Sequence, residues 1–285
     1  MPHDIALRRF AGPDAHLGLS LRIAHLTDQH VGRITPMEVQ RAAVAVTNAE
    51  KPDLVCLTGD FVGHNLRYLD ELEEVIRGFD APVVATLGNH DHWAGADAVR
   101  ATLRRGGAEV LDNAHTILTI KHQRLQVVGL DDAFTGQADR ARAVRGLRGD
   151  LPSLGLSHIG EEADGLWRHG VALVLAGHTH AGQITSLGIG RLLVGKVAGH
   201  KYVHGLYGSR SNATPATGAL YVGAGVGATA IPWRTGDRGK REVAIFELGQ
   251  SAGAFPEHHD EQPALAGRRP SSRMRAFRAR FRRLA

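Results

Sequence analysis

Short apolar runs recur along the chain at residues 21–26, 54–57, 83–86, 125–130, 151–156 and 171–176. Their length is that of strands. Between them, residues 36–50, 66–78, 94–106 and 138–147 carry helical patterns, with Pro36 suited to a first helical turn. Strand-like and helical segments that alternate in this way predict a layered α/β architecture. The polar residues between them are not scattered. Asp28-Gln29-His30, Gly59-Asp60, Gly88-Asn89-His90-Asp91, Ser157-His158 and Gly177-His178-Thr179-His180 mostly follow directly on an apolar run. A parallel or mixed sheet would gather all five clusters along one edge.

With 285 residues, 43% of them hydrophobic, the chain can bury a substantial core, and 35 glycines suit many tight strand-to-loop junctions. One large domain is expected over 20–248, with a lead-in at 1–19 and a distinct tail at 249–285. Cys56 is the only cysteine and lies in an apolar run, so it is expected to be buried and cannot form an internal disulfide. There is no apolar run of membrane-spanning length, and the first residues do not read as a cleaved leader. A cytoplasmic location is expected. The tail holds eight arginines against three carboxylates, a balance of +5 that equals the net charge of the whole chain. Residues 249–270 read as a linker, whereas 271–285 place Met274, Phe277, Phe281 and Leu284 at helical spacing among arginines. Such a segment suits peripheral attachment to an anionic membrane surface; contact with nucleic acid and a disordered solubilising tail are the rival readings.

The five clusters carry metal-binding chemistry. Two divalent ions close together need a bridging carboxylate and further imidazole, carboxylate and amide donors. Asp60, isolated after Gly59, is the natural bridge. Asp28 and His30 lie two residues apart, so an extended segment would present both to one ion, and His178 and His180 repeat the spacing. Two dications with two carboxylates and a hydroxide keep a net positive charge suited to phosphate.

The ordered set D-x-H, G-D, G-N-H-D, H, G-H-x-H resembles the signature of the calcineurin-like metallophosphoesterases, over about residues 20–248. The stretches from Leu54 to Asp60, from Gly129 to Asp132 and from Ala176 to Gln183 resemble one branch, which includes phosphodiesterases acting at the cell wall or on lipid-linked substrates. The resemblance implies a four-layer α-β-β-α sandwich of two mixed sheets flanked by helices. It implies one metal on Asp28, His30, Asp60 and His180 and a second on Asp60, Asn89, His158 and His178, with a metal-bridging hydroxide as nucleophile. His90 would stand near the phosphate as general acid, its ring oriented by Asp91. Oxygen and nitrogen donors without thiolate suit Mn²⁺, Fe or Zn²⁺. The expected substrate is a phosphate ester, most of all a phosphodiester or pyrophosphate linkage, on lipid or cell-envelope molecules. A phosphomonoesterase or protein phosphatase with the same metals, and a non-catalytic scaffold, are the alternatives.

Three positions depart from the branch pattern: Gly160 stands where proline is usual, Gln29 where an apolar residue is common and Ala181 where glycine is common. Outside the signature, Asp131-Asp132 reads as a turn and helix cap, and His64, His92, His200 and His204 read as structural or solvated histidines, His92 being the best candidate among them to touch substrate. Residues 201–207 resemble a family stretch on the rim of the site.

Overall fold

In β3 (Leu54–Thr58) every side chain is buried, but successive ones enter different cores. Leu54 and Cys56 join an apolar layer with Leu125, Leu154 and Leu173, whereas Val55 and Leu57 join another with Val39, Leu72 and Leu103. A two-residue period thus builds two cores from one strand. The computed structural model describes residues 5–11, 17–182, 199–207, 218–228 and 234–249. Of the tail segments expected at 249–270 and 271–285, all but residue 249 lie outside these residues.

The strands are β1 (Ile5–Ala11), β2 (Arg22–Leu26), β3, β4 (Val83–Thr86), β5 (Ala108–Val110), β6 (Ala114–Ile120), β7 (Gln123–Gly129), β8 (Ser153–Leu156), β9 (Leu173–Ala176), β10 (Gly205–Tyr207), β11 (Ala219–Val222) and β12 (Arg241–Glu247). They form two six-stranded mixed sheets, ordered β1-β12-β2-β3-β4-β5 and β10-β11-β9-β8-β7-β6. Helices α1 (Met37–Ala49), α2 (Leu69–Arg77) and α3 (Asn89–Arg105) cover the first sheet, and the short α4 (Arg140–Ala143) and α5 (Ala163–Leu166) cover the second. The three apolar layers lie between helices and first sheet, between the sheets, and between second sheet and helices. This is the four-layer sandwich that the motifs implied.

Two expectations need correction. Residues 5–11, assigned to a lead-in, form β1, which pairs in parallel with β12 along its whole length. Its two arginines had masked the strand: Arg8 reaches Glu242 at 2.8 Å and Arg9 reaches Glu50 at 2.7 Å, so both charges are matched by distant residues. Helix α3 begins at Asn89, five residues before the expected start. Gly95, at φ 140°, interrupts it, and the sequence pattern had caught only the part beyond that break. Cys56 is buried as expected. Among the described residues no helix is long and apolar enough to cross a membrane.

Candidate metal centre

Backbone pairing carries two loops past the ends of β2 and β3. The N–H groups of Asp28, His30 and Val31 donate to the carbonyls of Gly59, Asp60 and Phe61 at 3.0, 2.9 and 2.8 Å. Asp28, His30, Asp60, His178 and His180 all have left-handed backbones, with φ of 52°, 44°, 56°, 74° and 50°. For non-glycine residues this conformation is costly and marks functional sites. Five of the seven expected ligands carry it. Two close approaches explain the glycines of the signature. A Cβ on Gly88 would collide with the Asp60 carboxylate, and one on Gly177 would collide with Thr27 and Asp28.

The side chains converge in two triads, Asp28–His30–His180 and Asp60–His158–His178. In the first, His180 Nε2 lies 3.1 Å from His30 Nε2 and 3.2 Å from Asp28 Oδ1, which is 3.9 Å from His30 Nε2. In the second, His158 Nε2 lies 3.2 Å from His178 Nδ1 and 3.3 Å from Asp60 Oδ2. Asp60 Oδ2 is also 3.6 Å from His30 Nε2, so one carboxylate oxygen faces both triads. Each triad draws on both sheets: Asp28, His30 and Asp60 follow β2 and β3, whereas His158, His178 and His180 follow β8 and β9.

These residues fit divalent ions. Ligands at about 2.0–2.2 Å from one ion stand about 3–3.5 Å apart, close to the spacings within each triad. Among the described residues, the buried Asp28 Oδ1 and Asn89 Oδ1 have no hydrogen-bond partner. His30 Nδ1 donates to the Val62 carbonyl at 3.2 Å and His158 Nδ1 to that of Thr58 at 2.7 Å, leaving each Nε2 aimed inward. Burial drives His30 down to about 3 and takes His178 and His180 well below the ordinary range, so their rings are neutral donors. His158 goes the other way: burial opposes its charge, but Asp60, Asp28 and Asp132 outweigh it and push the pKa up to about 10. Burial raises Asp28 to about 6, partly offset by His158. A proton on His158 does there what a cation would do, balancing the buried carboxylates.

His90 and Asp91 do not form the expected pair. The Asp91 carboxylate accepts from the backbone N–H groups of Gly88, Asp60, Phe61 and Val62 at 2.9, 2.9, 2.8 and 3.2 Å. Thus Asp91 caps α3 and fixes the Asp60 loop. The His90 ring is oriented instead by the Gly63 carbonyl, to which Nδ1 donates at 2.7 Å, while its backbone N–H donates to Asp60 Oδ1 at 2.8 Å. Its ring centre is 4.9 Å from those of His30 and His64 and 4.8 Å from that of Trp93.

The remaining candidates divide cleanly. Asp131 pairs with His92 at 2.6 Å and Arg100 at 3.0 Å and so ties His92 into a structural network, whereas Asp132 Oδ2 accepts from the Thr135 backbone at 2.5 Å and its buried Oδ1 has no partner among the described residues. His204 is buried against Glu242 at 2.9 Å. His200 bonds Glu161, yet its ring centre lies 5.0 Å from that of His178, at the edge of the site. Gly160 is tight against Val222 and Tyr202, where a Cβ would stand 3.2–3.3 Å from its neighbours. Ala181 keeps the left-handed φ of 53° that makes glycine common there. Sequence reasoning missed Arg234, whose guanidinium donates to His180 Nδ1 at 3.0 Å and to the Ala224 carbonyl at 2.8 Å. It also missed the apolar rim of Trp93, 40% exposed, and Phe134, whose ring centre lies 5.2 Å from that of His178. Neither has a local pattern; tertiary contact alone brings them to the site.

A family model described as calcineurin-like phosphoesterase matches residues 21–182, the segment that contains both triads. The chain belongs to that family. It is a metal-dependent hydrolase of phosphoric esters. Among its relatives, the uncharacterized metallophosphoesterase YkuE of Bacillus subtilis is 28% identical over 236 residues, which are 80% of this chain and 78% of that protein. The phosphodiesterase YaeI of Escherichia coli is 30% identical over 211 residues, 70% of this chain and 76% of the relative.

Proposed function

We propose that this metallophosphoesterase is a two-metal phosphodiesterase, cleaving phosphodiester or pyrophosphate bonds in amphipathic, lipid-type or cell-envelope substrates. The observation that carries the two-metal reading is Asp60 Oδ2, 3.3 Å from His158 Nε2 in one triad and 3.6 Å from His30 Nε2 in the other. One ion is assigned to Asp28, His30, Asp60 and His180, the other to Asp60, Asn89, His158 and His178. When bound, such ions supply positive charge to the phosphoryl oxygens and lower the pKa of an attacking water. Mn²⁺, Fe and Zn²⁺ suit the nitrogen and oxygen donors.

His90 is assigned the proton that the leaving oxygen needs. With Nδ1 committed to the Gly63 carbonyl at 2.7 Å, its Nε2 is the nitrogen left to hold and release that proton. Diester cleavage is favoured by the likeness to YaeI, a protein named as a phosphodiesterase, and an apolar substituent by the exposed Trp93 and the neighbouring Phe134. The location assigned is cytoplasmic, with residues 271–285 resting on an anionic membrane surface through their arginines.

The test uses protein stripped of metal and reloaded with Mn²⁺, assayed on bis(p-nitrophenyl) phosphate and p-nitrophenyl phosphate. Restored diester cleavage is expected, with an Asp60→Asn protein losing both ions in elemental analysis and losing turnover. A D60N protein that keeps two ions and normal rates overturns the bridging role, and preference for the monoester overturns the diesterase reading.

A further inference from the structure

Beside His30 the surface opens into a cleft of about 280 Å³, between the loop that follows β2 and the loop that follows β3. Its polar lining is cationic or neutral: Arg33, His64, Asn65, Arg67 and Tyr68 contribute, and no carboxylate does. Arg33 is exposed and makes no ion pair or hydrogen bond to a described residue. The Arg67 guanidinium lies 6.0 Å from the centre of the Tyr68 ring, and no described carboxylate pairs with it. The Tyr68 ring packs against Gly32, where an added Cβ would stand 3.3 Å from it. By contrast, Arg41 and Arg105, equally on the surface, are paired with Glu74 and Glu73 at 2.8 Å. The cleft is continuous with the metal centre, because His30 forms its inner wall and the His64 ring centre lies 4.9 Å from that of His90.

We propose that this cleft is an anion subsite that binds a second phosphate group of the substrate, next to the ester bond being cleaved. The proposal rests on the phosphoesterase reading and narrows it to substrates with a further phosphate. Guanidinium groups bind phosphate oxygens through paired N–H donors, and two of them with no described carboxylate alongside offer that capacity to a ligand. The volume is at the lower end for ligand pockets, which suits a phosphate and a short connection rather than a second large moiety. Phe134 lies on the opposite flank, against His178 of the other triad. A substrate across the centre would therefore have an apolar part towards Trp93 and Phe134 and an anionic part towards Arg33 and Arg67.

The test is calorimetric binding to the Mn²⁺-loaded protein of thymidine 5′-phosphate, thymidine 3′,5′-bisphosphate and thymidine 5′-diphosphate, the nucleoside serving only as a common scaffold. At least one of the two ligands with an extra phosphate should bind tenfold or more tightly than the monophosphate. That gain should vanish in the double variant R33A/R67A and return in part in R33K/R67K, which keeps the charge without the fork. A gain confined to the diphosphate identifies the bound group as the β-phosphate of a pyrophosphate link, and one confined to the 3′,5′-bisphosphate as a terminal monoester. Equal affinity for all three ligands in the unaltered protein overturns the subsite, as does a gain that R33A/R67A retains. Hydrolysis of bis(p-nitrophenyl) phosphate is measured alongside. Its absence from the unaltered protein would sink the phosphodiesterase reading while the binding comparison still decides the cleft.

Discussion

The Asp91 carboxylate collects four backbone N–H groups, whereas the adjacent His90 ring is held by one carbonyl, so substitutions at these neighbours should have different signatures. An Asp91→Asn protein turns an amide N–H₂ towards donors that need an acceptor. It should lose at least about 2 kcal/mol in urea unfolding and release metal, because the Asp60 loop loses its anchor. A His90→Gln protein should keep its fold and metal content. Its kcat should fall by roughly 10²–10⁴ on diesters with poor leaving groups and far less on nitrophenyl esters, a split that rapid assays on both classes would detect. Gln29 is a third residue with a distinct prediction. It is buried, both of its side-chain polar atoms have no partner among the described residues, and it stands where an apolar residue is common. A Gln29→Leu protein should gain about 1–2 kcal/mol of stability in the same unfolding assay with turnover unchanged.

Helix α3 and the loop after β7 are joined by His92 and Asp131, 2.6 Å apart. Burial alone would lower the His92 pKa, but the bond to Asp131 and its charge raise it; Asp131 is held down at about 2, chiefly by His92 against the cost of its own burial. Because the folded His92 pKa is raised, its contribution is complete below the unfolded value of about 6.5 and is lost as pH rises through the folded value. Asp131 is depressed, so its contribution is present above the unfolded value of about 3.9 and is lost as pH falls towards the folded one. The stability difference between the unaltered protein and a His92→Gln variant should therefore be largest between about pH 4 and 6.5, and should shrink on either side in urea titrations. At this scale the sequence was most informative where periodicity is strong. The runs that became β2, β3, β4, β7, β8 and β9 were legible, as were α1 and α2, because local burial writes a local pattern. Strands β1, β5, β6, β10, β11 and β12 were not; for β1 the reason is that its partners are remote, since Arg8 and Arg9 look like surface charges until Glu242 and Glu50 are seen against them. The residues of the two triads were legible through short motifs, but Arg234, Trp93 and Phe134 reach the site only through tertiary folding.

Across the whole molecule, the first strand is tied to the layer between the sheets. Phe10 is 1% exposed, with its ring centre 4.9 Å from that of Tyr221 in the second sheet and 5.1 Å from that of Phe246 in its own. A Phe10→Ala substitution should cost about 3–5 kcal/mol in global unfolding, though it lies in a segment that reads as a mere lead-in. The same layer has a second consequence. Each triad takes ligands from both sheets, so a cation in either one would act as a rivet through the sandwich. The spacing of the rivets would then be set by how far one sheet slides over the other. Leu54, Cys56, Leu154 and Leu173, which touch no substrate, would thereby tune the gauge of the catalytic centre from behind it.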